Sequence, residues 1–291
     1  MKNILVTGGN GQLGSSLRNI SSSFPGFSFL FIDYQDLDLT NADRVEEFFN
    51  GHHLDYIINC AAFTAVDQAE SQQEAAFKVN AGIPKLLAGI AALHHIRLIH
   101  ISTDYVYDGT RSVPHTENET LAPASVYAHS KLEGEKPLWD HPSAIIIRTS
   151  WLYGEFGKNF LKTMLHLGND RHELGMVYDQ TGTPTYSGDL ANMLMEIISF
   201  SENNEYLPGI YNYSNEGVCS WYDFALEIML QSGRNCHVKP IRTHEYPLPA
   251  KRPEYSVLDK SKIKHIFGIE IPYWKDSLST ALANLKKNKE I

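Results

Sequence analysis

Tyr127 and Lys131 stand four residues apart in Tyr127-Ala128-His129-Ser130-Lys131. On a helix that spacing puts both side chains on one face. An ammonium beside a phenol favours the phenolate and lowers its pKa from about 10. A phenol tuned in this way exchanges protons near neutral pH, as general acid catalysis requires. Two other features accompany the pair. Ser102-Thr103-Asp104 ends an apolar, β-branched run, and Thr7-Gly8-Gly9-Asn10-Gly11-Gln12-Leu13-Gly14 is a glycine-rich turn near the start of the chain.

In that turn Gly8, Gly11 and Gly14 are spaced three apart. The first glycine permits a tight turn after a strand, and the second lets a pyrophosphate approach the backbone. The third lets the following helix pack on the sheet with its N-terminus facing the phosphates. The spacing differs from the GxGxxG of many dehydrogenases. A second apolar run ends at Asp33, whose carboxylate can accept hydrogen bonds from an adenosine ribose diol and would repel a 2′-phosphate. No arginine follows it closely, which tilts the cofactor toward NADH, although Arg18 could lie near. Asp38-Leu39 could cover an adenine ring, and a loop leading into a helix would look the same.

Elements able to position these residues alternate through the first half of the chain. Strands are expected at 3–7, 27–32, 56–61, 96–102 and 144–149. Helical periodicity appears at 12–22, 74–93 and 126–139, with Pro84 bending or restarting the second of these. Thr40-Asn41-Ala42-Asp43 resembles a helix cap. The pattern predicts an α/β fold, a Rossmann-like doubly wound parallel sheet whose ligands sit at the carboxyl ends of its strands. After about residue 150 the alternation loosens, with helices expected at 188–199, 220–232 and 274–287. We therefore expect a dinucleotide-binding domain at 1–150 and a smaller C-terminal substrate-binding lobe at 151–291, intertwined with the first. The basic stretch Lys286-Lys287-Asn288-Lys289 suits a solvated helix end.

The bulk composition excludes several classes. At 291 residues the chain can bury a large core, with 43% hydrophobic and 20% charged residues. Its formal net charge of −9 argues against binding a nucleic-acid backbone. Three scattered cysteines, Cys60, Cys219 and Cys236, suit free thiols in a reducing compartment. The thirteen histidines lack metal-ligand spacing, and no metal is assigned. The N-terminus begins directly with a strand, without the features of a signal peptide. No apolar run approaches the length of a membrane span. These features together predict a soluble cytoplasmic protein that binds neither membrane nor nucleic acid.

The chain resembles the extended short-chain dehydrogenase/reductase family nearly end to end, and within it the branch that acts on dTDP-4-keto-6-deoxyhexoses. The resemblance is carried by the blocks already named and by Asn59-Cys60-Ala61-Ala62-Phe63-Thr64-Ala65-Val66-Asp67-Gln68-Ala69-Glu70 and Ser102-Thr103-Asp104-Tyr105-Val106-Tyr107. It continues in Arg148-Thr149-Ser150-Trp151-Leu152-Tyr153-Gly154, Asp179-Gln180-Thr181-Gly182-Thr183-Pro184-Thr185 and Lys251-Arg252-Pro253. It implies reduction of dTDP-4-dehydro-L-rhamnose to dTDP-L-rhamnose with NADPH or NADH. Tyr127 would donate the proton, Lys131 would hold the nicotinamide ribose, and Thr103 would orient the keto oxygen. Gly8, Gly11, Gln12, Leu13, Asp33, Asp38, Leu39, Ala61 and Ala62 would line the cofactor site. Val66, Asp104, Tyr105 and Trp151 would line the sugar site, and Arg252 would face pyrophosphate charge. Dehydratases of this family carry a glutamate where this chain has Tyr105, so the resemblance favours net reduction. Some members dimerise through a metal held by glutamates. Ser15, Ser16 and Asp189 stand in those regions here, so a monomer or a homodimer without a metal bridge is expected. An epimerase or another nucleotide-sugar reductase remains an alternative. So does a regulatory partner similar to the β subunit of methionine adenosyltransferase.

Overall fold

A computed structural model describes residues 1–288. A six-stranded sheet runs, from one edge to the other, Gly209–Asn212, Ala144–Thr149, Arg97–Thr103, Tyr56–Asn59, Lys2–Thr7 and Phe27–Ile32. Every neighbouring pair is parallel. The strands on either side of Lys2–Thr7 follow it in opposite directions through the chain. That order reversal opens a crevice at the carboxyl ends, where open α/β sheets bind ligands. The central strands are near-continuous apolar runs because both faces are covered. Ile4 and Val6, with Tyr56, Ile58 and Ile147, face a cluster shared with helix Ser187–Asn203. Leu5, Ile57, Leu98 and Ile146 face the opposite cluster, shared with helix Ile83–His94.

The second half of the chain interlocks with the first. Helix Ser187–Asn203 packs against helix Gln12–Ile20, where Ser16 Oγ donates to Ser187 Oγ at 2.8 Å. Strand Gly209–Asn212 completes the sheet. The rest of this half gathers around a third core of Tyr153, Leu161, Phe224, Ile228 and Trp274. Three helices build it: Phe160–Asp170, Trp221–Ser232 and Trp274–Lys287. Lys286 and Lys287 lie in the last turn of the final helix. Lys289 lies outside the described residues.

Two sequence expectations need correction. The helix expected at 74–93 runs Gln73–His94, and it is long and apolar enough to meet the composition of a membrane span. Ile83, Leu87, Ile90 and Ala91 are nonetheless buried in the core against the sheet, which makes it a core helix. Helix Phe160–Asp170 and the short parallel pair Glu173–Val177 with His237–Ile241 were not expected at all.

The long helix contains one π turn, Lys78–Gly82, immediately before Pro84. Proline brings no N–H, so the carbonyl four residues back has no intrahelical donor from it. That carbonyl belongs to Asn80 and is turned toward Gly134, where a Cβ would stand only 2.0 Å from it. The Asn80 side chain adds to the junction. Its Oδ1 accepts from Phe63 N at 2.8 Å, and its Nδ2 donates to Phe63 O at 3.0 Å and to Ser130 Oγ at 2.9 Å. One asparagine therefore ties the long helix to helix Val126–Glu135 and to the loop after the third strand.

Gly134→Ala should lower the unfolding free energy by about 1–3 kcal/mol through overpacking. It should do so despite the better helix propensity of alanine, worth about 1 kcal/mol. Chemical denaturation of the two proteins measures this, and equal or greater stability of the variant would contradict the close helix contact.

Candidate active site

The glycine turn leaves strand Lys2–Thr7 at Gly8, which adopts φ +62°. A Cβ on Gly8 would lie 2.9 Å from Ala61 N, and one on Gly14 would lie 2.3 Å from Gly8 O. Both positions therefore need glycine, the first for a left-handed turn and close approach, the second for helix packing. Gly11 caps helix Gln12–Ile20 with no side chain of its own, and no acidic residue stands in the first turn. That leaves the positive end of the helix dipole open for an anion. Beneath the turn, Thr7 Oγ donates to Asn59 Oδ1 at 2.7 Å, and Asn59 Nδ2 meets His100 Nδ1 at 3.0 Å. This chain of hydrogen bonds aligns the ends of three strands. Burial holds His100 well below the usual imidazole range, so its ring is neutral.

Asp33 follows the second strand and faces the same crevice. Its Oδ2 accepts from Asn10 N at 2.9 Å and its Oδ1 from Tyr34 N at 2.8 Å. The carboxylate thus braces the glycine turn while lining the cavity. Asp38 accepts from Thr40 N and Oγ1 at 2.9 and 2.7 Å, which holds its carboxyl below the usual range. Arg18 lies over the Phe31 ring, 4.4 Å from its centroid, and does not line the cavity.

Strand Arg97–Thr103 delivers Thr103 and Asp104 to the rim, both buried. Helix Val126–Glu135 is capped by Ser125, whose Oγ accepts from Ala128 N at 3.2 Å. It brings Tyr127 to the cavity that Thr103 also lines, where the Thr103 hydroxyl favours the ionised phenol. Tyr105 packs edge-on against the Tyr127 ring at 5.9 Å between centroids. The expected lowering of the phenol pKa is not found. Burial pushes Tyr127 up to about 12, opposed by Thr103, with no contribution from Lys131. Lys131 instead donates from Nζ to Ile101 O at 2.6 Å, and burial draws it down to about 8. A phenol in this state is protonated throughout the neutral range, which is the form a proton donor needs. Burial also pushes Asp104 up to about 7, opposed by hydrogen bonds from Ser256 and Thr103. Its Oδ2 is buried and unpartnered.

Behind this group lies a charged pair that sequence reasoning missed. Glu135, on the Tyr127 helix, accepts from Arg148 Nη2 at 2.6 Å and from Arg148 Nε at 3.1 and 3.2 Å. Both side chains are essentially inaccessible, at 0% and 1% exposure. Ser102 Oγ donates to the same carboxylate. Arg148 Nη1 donates to Tyr107 OH at 2.9 Å, and that hydroxyl donates to Asn212 Oδ1 at 2.9 Å. The network thus spans the Tyr127 helix, the Thr103 strand and the two strands beyond it.

At the far end of the crevice Trp151 adopts φ +45°, an uncommon conformation for a bulky side chain. Thr185 N donates to its carbonyl at 3.2 Å, and a Cβ on Gly182 would stand 2.7 Å from its ring. The ring stacks on Trp221 at 3.6 Å between centroids and 10° between planes. Trp221 and Lys158 line the cavity and were not singled out in the sequence. The Ser220–Asp223 capping box that positions Trp221 was the available signal.

One cavity of about 840 Å³ joins these features. Gly8, Gly11, Gln12, Leu13, Asp33, Asp38, Leu39, Ala61 and Ala62 line one part of it. Val66, Thr103, Asp104, Tyr105, Tyr127, Lys131 and Trp151 line the remainder. Arg252 does not. It makes a forked pair with Asp67, at 3.0 and 2.7 Å, beside a smaller cleft behind Tyr105. Among the described residues no group of three or more His, Cys, Asp or Glu gathers as metal ligands would.

Residues 1–287 match the family described as the RmlD substrate binding domain. The chain is similar to a dTDP-4-dehydrorhamnose reductase of Aggregatibacter actinomycetemcomitans, with 42% identity over 97% of this chain and 99% of that one. A crystal structure of a dTDP-4-dehydrorhamnose reductase from Clostridium acetobutylicum superposes with a TM-score of 0.92 at 42% identity, covering 98% of this chain and 99% of that one. A Bacillus anthracis dTDP-4-dehydrorhamnose reductase solved in complex with NADP gives a TM-score of 0.92 at 36% identity, covering 98% and 100%.

The Asp104 carboxyl makes a pH prediction. Its pKa rises from an ordinary 3.8 to about 7 on folding, so the folded state binds the extra proton between those values. Stability contributed by the neutral acid is then present below the lower value and is lost as pH rises through the upper one. Asp104→Asn should flatten this decline in unfolding free energy, measured by denaturation from pH 4 to 8. An unchanged slope would place Asp104 in a hydrated setting.

Proposed function

The chain belongs to the RmlD substrate binding domain family, and we propose that it reduces the 4-keto group of dTDP-4-dehydro-L-rhamnose to give dTDP-L-rhamnose. It is an oxidoreductase that uses a nicotinamide dinucleotide. The observation that carries the chemistry is the convergence of the Thr103 hydroxyl and the Tyr127 phenol in the cavity that also contains the glycine turn.

The residues fit the cofactor. Gly8 and Gly14 leave a cradle that a Cβ would fill, and the helix behind it has an uncapped, anion-receptive end. Gly8, Gly11, Gln12, Leu13, Ala61 and Ala62 would hold the diphosphate portion, while Asp33, Asp38 and Leu39 would hold the adenosine. When bound, the reduced nicotinamide supplies the hydride. Tyr127, neutral at working pH, gives its phenolic proton to the keto oxygen as charge develops there. Thr103 donates a hydrogen bond to the same oxygen and orients it. Lys131, one helical turn along, holds the nicotinamide ribose and adds positive charge near the developing alkoxide. Val66, Asp104, Tyr105, Trp151 and Trp221 shape the sugar pocket. The Asp67 partnership of Arg252 makes it a brace for the Val66 turn, and any contact with substrate phosphate would require competing with Asp67.

Tyr105 supports reduction over dehydration. Eliminating water needs a second acid–base group beside Asp104. Burial and the Asp104 charge raise the Tyr105 phenol far above neutrality, so it serves as a wall and a hydrogen-bond donor. The assembled catalytic trio speaks against a purely regulatory role. Asp33 favours NADH over NADPH, because a 2′-phosphate would meet its carboxylate, although a relative of this family was solved with NADP. The free thiols Cys60, Cys219 and Cys236 fit a cytoplasmic location.

Incubation with dTDP-4-dehydro-L-rhamnose should oxidise the reduced cofactor stoichiometrically and yield dTDP-L-rhamnose by NMR. Keto-sugar formed from dTDP-glucose without net cofactor consumption would overturn this reading in favour of a dehydratase. Tyr127→Phe should cut turnover by about 10²–10⁴-fold with cofactor affinity retained. Near-normal turnover would mean that another group supplies the proton. Asp33→Ser should shift the ratio of kcat/KM values toward NADPH, and an unchanged ratio would remove Asp33 from the ribose site.

A further inference from the structure

The glycine turn has a cover. Residues 154–159 lead into helix Phe160–Asp170 and cross the start of helix Gln12–Ile20. Gly157 adopts φ +65°, and a Cβ built there would stand 3.1 Å from Gln12 Cγ. The backbone of this loop therefore rests on the side chain that opens the glycine-turn helix. Asn159 fixes the loop's shape. Its Nδ2 donates to Gly154 O at 2.9 Å and to Phe156 O at 3.2 Å, and its Oδ1 accepts from Lys162 N at 3.1 Å as the helix cap.

Between these two fixed points stands Lys158. It is exposed, lines the cavity, and forms no hydrogen bond or ion pair among the described residues. Among the described residues Lys131 is the other basic side chain lining the cavity, and its ammonium is bound to Ile101 O. Among the described residues the remaining acidic groups on the lining are Asp33, Asp38 and Asp104, the last shifted by burial toward its neutral form. Directly under the loop, Gln12 Oε1 is buried without a partner. A diphosphate brought onto the glycine turn would add negative charge to a cavity that already holds the Asp33 and Asp38 carboxylates, while the Lys131 ammonium is engaged with Ile101 O. The helix dipole offsets part of this, equivalent to roughly half a charge. Lys158 is the cation placed to offset the rest.

We propose that Lys158 binds the diphosphate of the nicotinamide dinucleotide, closing on it from the loop while the glycine turn holds it from the sheet. This inference rests on the preceding reading that a dinucleotide occupies the glycine turn. As an ammonium on a flexible stem, Lys158 acts as a point charge that any diphosphate-bearing ligand in this seat would feel, whatever its base or 2′ substituent.

Direct binding tests it without turnover. NADPH, NADH and ADP-ribose are titrated calorimetrically into wild type, Lys158→Ala and Lys158→Arg at low and moderate salt. Lys158→Ala should weaken all three ligands by about three- to tenfold at low salt, the range expected for one solvent-screened, charge-assisted contact. The loss should shrink as salt rises, and Lys158→Arg should restore affinity. The exposed side chain leaves the thermal midpoint unchanged, so a folding defect would not imitate the result. Wild-type affinity of Lys158→Ala for all three ligands would overturn the inference. So would a loss confined to NADPH, which would assign Lys158 to the 2′-phosphate. A raised KM for the nucleotide-sugar with cofactor affinity intact would likewise overturn it, by moving Lys158 to the substrate's diphosphate. Failure of the wild-type protein itself to bind any of the three would instead overturn the functional reading beneath it.

Discussion

The buried pair of Arg148 and Glu135 holds the register on which the rest of the site depends. Glu135 lies two helical turns beyond Tyr127 and one beyond Lys131, on the same helix. Its carboxylate is bound by Arg148 from the neighbouring strand and by Ser102, the residue before Thr103. One carboxylate thereby fixes the helix carrying the phenol against the strand end carrying the hydroxyl. A buried ion pair gives little net stability compared with an apolar replacement, but leaving one charge unpaired is severe. Its value here is geometric, because a proton donor must sit within hydrogen-bond reach of the oxygen it serves. Asn80 completes the arrangement by joining the same helix to the loop after the third strand.

Burial explains the electrostatics of the cavity more fully than pairing does. Tyr127, Tyr105, Asp104 and Cys60 all move toward their neutral forms because the charged forms lose hydration. Lys131 moves the same way, although Glu135 and Cys60 oppose the change. The site is accordingly rich in neutral donors aimed at a common region. Such donors stabilise charge only as it develops on a reacting oxygen. The acidic residues at the adenosine end accept hydrogen bonds from backbone N–H groups, and the Thr40 hydroxyl and N–H hold the Asp38 carboxyl below its usual range.

Much of this was legible in the sequence, for physical reasons. Strand Ala144–Thr149 is a short β-branched run buried on both faces, and Phe27–Ile32 is a half-buried, aromatic-rich edge strand; the limits of both were readable. The glycine turn was readable because two of its glycines occupy positions where a Cβ collides with backbone. Strand Gly209–Asn212 was not readable, since four residues bounded by loops carry no periodicity. The Tyr127–Lys131 spacing correctly gave a shared helix face but not the ammonium's direction. That direction is set by Ile101 O on another element, which no local pattern reveals. Arg252 stood in a recognisable block, yet Asp67, far away in sequence, claims its guanidinium. Trp221 and Lys158 reach the cavity from the second half, where lobe packing rather than local spacing decides what faces the crevice.

The claim that one buried ion pair registers the catalytic helix is tested most directly by a double-mutant cycle. Glu135→Gln, Arg148→Met and the double variant are compared in unfolding free energy and in kcat. Each single variant should lose about 3–5 kcal/mol, because each leaves a buried polar partner uncompensated. The double variant should lose clearly less than the sum, and kcat should fall in both single variants with the Tyr127 chemistry still intact. Additive stability losses, or single variants that keep full kcat, would contradict the account.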